Sequence, residues 1–298
     1  WQPSRMASVA ATILNRGKGG ELQPDVARPE LHLSGEVLES AFQAVTFGAE
    51  TFGGIERYVQ ALSLKSAMFK DILGDGKAAS LNLDGLMTLS TFMSSVRRRV
   101  APYLDTAGVE LFRKGVDILL TGMRDTSNTD RRIADFCRLF PEDRKHAFIR
   151  DFATEVLHNM DPERYPLMAR WVWDAGTNTG ALREAWFGDN VDHMVIPVPD
   201  TYAAFIVLRE ELTTFLSAQG LYRDMLYHAD LLTAQIYSHY ICAQGGSYLR
   251  TDFSSPQDPM QYTRRLLGLD GVSGKSGRTR LKSIDGTAFV MEDMQLLG

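Results

Sequence analysis

Apolar positions recur at helical spacing along most of this chain. Val37, Leu38, Ala41, Phe42 and Val45 fall on one helical face, with Ser34 placed to cap it and Glu36 in the first turn to complement the helix dipole. Gly53-Gly54 interrupts the pattern, and a second helix is predicted over 55–73. Asp75-Gly76 and Asp84-Gly85 read as turns, followed by a helix over 86–100 that ends before Pro102. Asp105 or Thr106 caps the next helix, carried by Val109, Phe112, Val116 and Leu119. A polar loop over 125–129 leads to a short helix over 130–140, and Pro141 with Glu142 and Asp143 behind it starts another that runs to His158. Asp200 caps a helix through Phe205, Leu208, Leu212 and Phe215, stopped by Gly220. The longest apolar helix covers 221–243, closed by Gly245-Gly246, and a short one covers 260–267.

Two stretches break the helical period. Residues 168–198 hold three of the four tryptophans, Trp171, Trp173 and Trp186, in short apolar runs separated by Gly/Asn/Thr clusters. They read as a three-stranded antiparallel meander, its first loop over 174–180, with Arg170 opposite Glu184, Val172 opposite Leu182 and Trp171 beside Arg183. Pro197 and Pro199 would make the third strand an edge. Near the C-terminus, apolar runs over 280–284 and 287–291 flank Asp285-Gly286, a hairpin signal because type I′ turns need positive φ at both central residues. The expected fold class is mainly α (α+β): a multi-helix, bundle-like body with a small meander near 168–198 and a C-terminal β-hairpin. Residues 1–33 are expected to be an extended or mobile arm. Residues 34–298 are expected to form one helical α+β domain, with 268–298 as a basic loop and hairpin.

Composition changes this picture little. Hydrophobic content of 44 % and charged content of 23 % are globular values. A net charge of −5 argues against a dedicated DNA-binding protein. No apolar run reaches the roughly 18–20 residues that span a bilayer, and the opening residues lack a clear secretory signal. The first residue is Trp, as expected of a processed chain or a fragment. Cys137 and Cys242 lack metal-ligand spacing and fit free thiols in a reducing compartment, so a cytoplasmic location is expected.

Candidate chemistry is sparse. On the 222–242 helix, Asp224, His228, Gln235, His239 and Cys242 project within one sector of an otherwise apolar surface. Asp224 and His228 are spaced to converge on one ion, and imidazole with carboxylate suits zinc or iron, which makes Asp224, His228 and His239 the metal candidates. Glu155 and His158 form a Glu-x-x-His step, but the wheel sets Phe148, Phe152, Val156 and Met160 as the buried face, and Asp151, Glu155 and His158 are expected on a solvated one. The stretch 268–276 misses P-loop spacing by one residue. Around it, Arg264, Arg265, Lys275, Arg278, Arg280 and Lys282 against Asp270 give a local charge of +5, leaving about −10 on the rest of the chain.

Three functions follow from these features. The first is a helical binding or assembly protein. It would engage a protein partner or a second copy through Trp171, Trp173 and Trp186 and the basic C-terminal segment. The second is a metal- or cofactor-dependent helical enzyme with its site on the 222–242 helix. The third is nucleic-acid binding through 264–282, marked by steep salt dependence. No membrane partner is expected.

Overall fold

The computed structural model describes residues 28–188, 190–245 and 260–270. Ten α-helices, and no β-sheet, are found among the described residues. Helix α1 (Gly35–Ala49) opens on Ser34, whose Oγ accepts the Val37 N–H at 3.3 Å. Gly53 and Gly54, both at φ 88°, break the chain before α2 (Ile55–Leu73). Helix α3 (Leu83–Thr91) starts earlier than the periodicity predicts, because Asn82 Oδ1 caps it by accepting the Gly85 N–H at 2.8 Å. It also stops earlier. Turns run over 92–99, where Ser94 Oγ donates to the Leu266 carbonyl. Asp105 caps α4 (Thr106–Leu120), and α5 (Thr129–Cys137) follows.

The helix expected from Pro141 begins at Phe148 instead. Asp143 accepts the N–H groups of Lys145 and His146, which winds 144–146 into a 3₁₀ turn ahead of α6 (Phe148–Met160). A one-turn α7 (Ala181–Glu184) precedes α8 (Tyr202–Ala218), α9 (Met225–Gly245) and α10 (Gln261–Leu266). The cap of α8 is borrowed from elsewhere. Asp130 Oδ1 accepts the Tyr202 N–H at 2.9 Å, while Asp200 accepts from Arg150.

Helix α6 is buried along nearly its whole length. It packs on α2, α4 and α5, and an aromatic layer of Phe112, Phe136, Phe140 and Phe152 fills the space between. Each of these buried rings is worth about 1.5–3 kcal/mol relative to exposure. Gly115 permits this packing, since a Cβ there would sit 2.5 Å from the Phe136 ring. The expectation that Asp151, Glu155 and His158 face solvent is corrected: all three are buried. Their partners come from other elements, which a helical wheel does not register. Lys65 of α2 stands 3.0 Å from Glu155, Asp230 of α9 stands 3.1 Å from His158, and Arg170 donates to Asp151.

The meander is likewise corrected. The chain does turn back through 174–180: Asp174 and Thr179 form an isolated bridge, and Leu182 N–H donates to the Val172 carbonyl at 3.0 Å. The arms then coil. Val172 and Trp173 N–H both point back to the Ala169 carbonyl, and Ala181 to Glu184 wind into α7. Short apolar runs carry no period long enough to tell strand from helix. Ala-Leu-Arg-Glu are good helix formers, and the preceding turn lets them coil. Arg170 pairs with Asp151 rather than Glu184. Arg183 donates to the Val191 and Met194 carbonyls rather than lying on Trp171. The predicted hairpin over 280–291 lies outside the described residues, as do residues 1–27 of the predicted arm. From Arg28 the chain lies along the body: Arg28 pairs with Glu210, and Leu33 bridges Trp186.

Candidate functional site

At the N-terminal end of α6 the fold opens a cleft of about 660 Å³, within the usual range for small-ligand sites. Five stretches of chain line it. The turns after α3 bring Ser95 and Arg99, the 3₁₀ turn brings Arg144, and the start of α6 brings Ala147, Arg150 and Asp151. The 168–180 turn brings Arg170, Trp171, Asp174, Thr177 and Thr179, and α9 brings Tyr237. No side chain caps α6 at Ala147, and Asp151 stands in its first turn, where a carboxylate complements the helix dipole.

The charges are unevenly matched. Four guanidiniums face two lining carboxylates, both engaged by Arg170, while Arg150 pairs with Asp200 at 3.4 Å from outside the lining. Asp151 accepts the Arg170 backbone N–H at 2.9 Å, its Nη2 at 2.9 Å and its Nε at 3.2 Å, while Asp174 stands 4.0 Å from Nη1. Arg150 Nη2 donates to the Asp200 carbonyl at 2.7 Å, but its buried Nη1 has no partner among the described residues. Arg99 and Arg144 are exposed. Trp171 is 8 % exposed, and its indole N–H is buried without an acceptor among the described residues. A buried unpaired donor costs about 1–3 kcal/mol, a cost a ligand acceptor would remove. Tyr237 stacks on Trp171 at 6.2 Å and 25°, and Tyr240 continues the stack at 5.7 Å and 24°. Burial, then the neighbouring Tyr240 and Glu184, raise the Tyr237 phenol above its ordinary value, so the ring stays neutral. Among the described lining residues there is no His or Cys. Behind the cleft, burial pushes the Cys137 thiol up to about 11, with Arg150 opposing and Asp151 adding to the shift. That is too high for a reactive thiolate.

The sequence candidates are distributed differently. Of the tryptophans, Trp171 lines the cleft. Trp173 is 1 % exposed and donates to the Val198 carbonyl at 3.0 Å, and Trp186 is buried against His32. Arg264 is 1 % exposed and donates to Tyr58 Oη, so it belongs to the core and not to a surface patch, whereas Arg265 is exposed. Lys275, Arg278, Arg280 and Lys282 lie outside the described residues. Asp224, His228 and His239 do not gather. His228 is buried with Nδ1 3.0 Å from the Asp224 backbone carbonyl, while Asp224 and His239 are exposed. Gln235 accepts from Thr263 at 2.6 Å. Among the described residues no group of three or more His, Cys, Asp or Glu is placed to hold a metal ion.

The arginine cleft itself escaped the sequence reading. Arg97-Arg98-Arg99 are consecutive in the sequence, but Arg144, Arg150 and Arg170 are scattered and acquire meaning only once the fold brings them together. No protein-family model matches the chain, and no curated protein or solved structure matches it. Fold and cleft alone define the class: a mainly helical protein with an arginine-lined, aromatic-walled cleft. No helix among the described residues is long and apolar enough to cross a membrane.

Proposed function

We propose that the protein is a binding protein whose cleft takes a phosphate-bearing, multiply anionic ligand. The observation that carries this reading is a concave site in which Asp151 and Asp174 are engaged by Arg170 and Arg150 pairs with Asp200, which leaves the exposed Arg99 and Arg144 without a carboxylate in the lining. Arginine forks suit phosphate oxygens because several N–H groups lie in one plane. Trp171, a lining residue, adds an indole N–H that has no acceptor among the described residues. The expected role of the tryptophans in partner binding rests here on Trp171 alone, since Trp173 and Trp186 are occupied by the fold.

Calorimetric titration of the full chain with tripolyphosphate tests the reading. Arg99 and Arg144 are exposed, so Arg99→Gln/Arg144→Gln should leave the melting temperature unchanged. It should weaken tripolyphosphate at least tenfold, and wild-type affinity should fall steadily with added salt. A wild-type protein that binds no tripolyphosphate, or a double variant that binds as well as wild type, removes the proposal.

A further inference from the structure

The aromatic wall narrows the ligand class beyond charge. We infer that the cleft binds single-stranded nucleic acid, with backbone phosphates on Arg99, Arg144, Arg150 and Arg170 and a base against the Tyr237–Tyr240 stack. This rests on the anion-binding reading above. A ligand made only of phosphate would have no use for rings, yet Trp171 and Tyr237 line the cleft beside the arginines, and Tyr240 extends their nearly parallel series from outside the lining. Positive charge along a groove beside aromatic faces is the combination that holds single strands, since every base offers a π-face. A duplex keeps its bases paired and stacked, so it offers phosphates and base edges but no free base face. A phosphorylated protein segment brings phosphate without a planar ring at each repeat. The lining is dominated by arginine, with Ser95, Thr177 and Thr179 as its hydroxyls and no Asn or Gln among its described residues. With its arginines assigned to phosphates and no amide to read adenine edges, such a site should tolerate sequence. The Trp171 N–H supplies one further donor for a phosphate or base oxygen.

Fluorescence anisotropy of the full chain with labelled 12-nucleotide oligouridylate and oligothymidylate, their duplexes, and tripolyphosphate as competitor tests this. Wild type should bind both single strands more tightly than either duplex, with affinity falling on added salt. Tyr237→Leu, which keeps apolar bulk but removes the ring, should weaken the single strands about tenfold or more and leave tripolyphosphate unchanged. Tyr237→Phe should bind like wild type. Should Tyr237→Leu fail to fold, Tyr240→Leu makes the same test on the same stack. Duplex preferred over single strand, oligonucleotide affinity indifferent to the ring, or a phosphorylated peptide bound more tightly than the oligonucleotides would each overturn the nucleic-acid inference. In those cases tripolyphosphate binding sensitive to Arg99→Gln/Arg144→Gln would keep the anion reading. Binding of neither ligand would sink both.

Discussion

Lys65 and Glu155 show what a single buried charge does in this fold. Both side chains are 4 % exposed, and Lys65 Nζ donates to Glu155 Oε2 at 3.0 Å and to the Leu267 carbonyl at 2.9 Å. Asn159 Nδ2 covers Glu155 from the next turn of α6 at 3.2 Å. Desolvating two ions is costly, so the intact pair need not stabilise more than an apolar pair of equal volume. Breaking it is another matter. Lys65→Met leaves Glu155 buried without its cation and should cost about 3–5 kcal/mol of unfolding free energy in urea denaturation. Lys65→Met/Glu155→Met should recover most of that loss. A single variant as stable as wild type would show that the pair is hydrated and not buried.

At the scale of elements, the short α10 packs on α9 and buries Met260, Leu267 and Leu269. Its segment is pinned by Lys65 on the Leu267 carbonyl, Ser94 on the Leu266 carbonyl, and a bidentate Arg97–Asp270 pair at 2.7 and 2.8 Å. Gly268 sits at φ 70°, where a Cβ would lie 1.9 Å from the Phe92 carbonyl oxygen. Gly268→Ala should therefore cost at least about 2 kcal/mol, combining backbone strain with a clash against main chain. Gly220→Ala is the control: φ is 85° but nothing lies within 4 Å, so only the conformational cost of about 1 kcal/mol applies. Equal losses in thermal and urea unfolding would mean that the 260–270 segment undocks freely. The same contrast explains what was legible in the sequence. Helices α1, α2 and α4 could be read because caps and apolar spacing are local, as at Ser34 and Asp105. The end of α3, the start of α6 and the coiled path through 168–198 depend on Leu266, Asp143 and Ala169 as tertiary or turn partners, which periodicity does not encode. In the candidate site, Trp171 was identifiable and its arginine partners were not, for the same reason.

For the molecule as a whole, the buried ionic contacts converge on α6 from several sides, and one of them is made by a histidine. His158 Nδ1 lies 2.9 Å from the Tyr165 carbonyl and Nε2 lies 3.1 Å from Asp230 Oδ2. Burial is the largest single influence and lowers its affinity for a proton. The Asp230 charge and hydrogen bond, the Tyr165 carbonyl and the Glu155 charge together outweigh it, so the imidazole ends above its ordinary 6.5. Arg209 of α8 also senses Asp230, although burial lowers its own value. A histidine that binds its proton more tightly when folded adds stability in full below the unfolded value near 6.5. That contribution is lost as pH rises through the folded value, because the folded chain then releases a proton it had held more tightly. Urea unfolding of wild type and His158→Gln from pH 5.5 to 9 should show this as a difference curve: largest at the acid end, falling on the alkaline side of 6.5, and flat once the folded imidazole is neutral. A difference that grows with pH would mean that His158 is buried neutral and that Asp230 takes its cation from Arg209 instead.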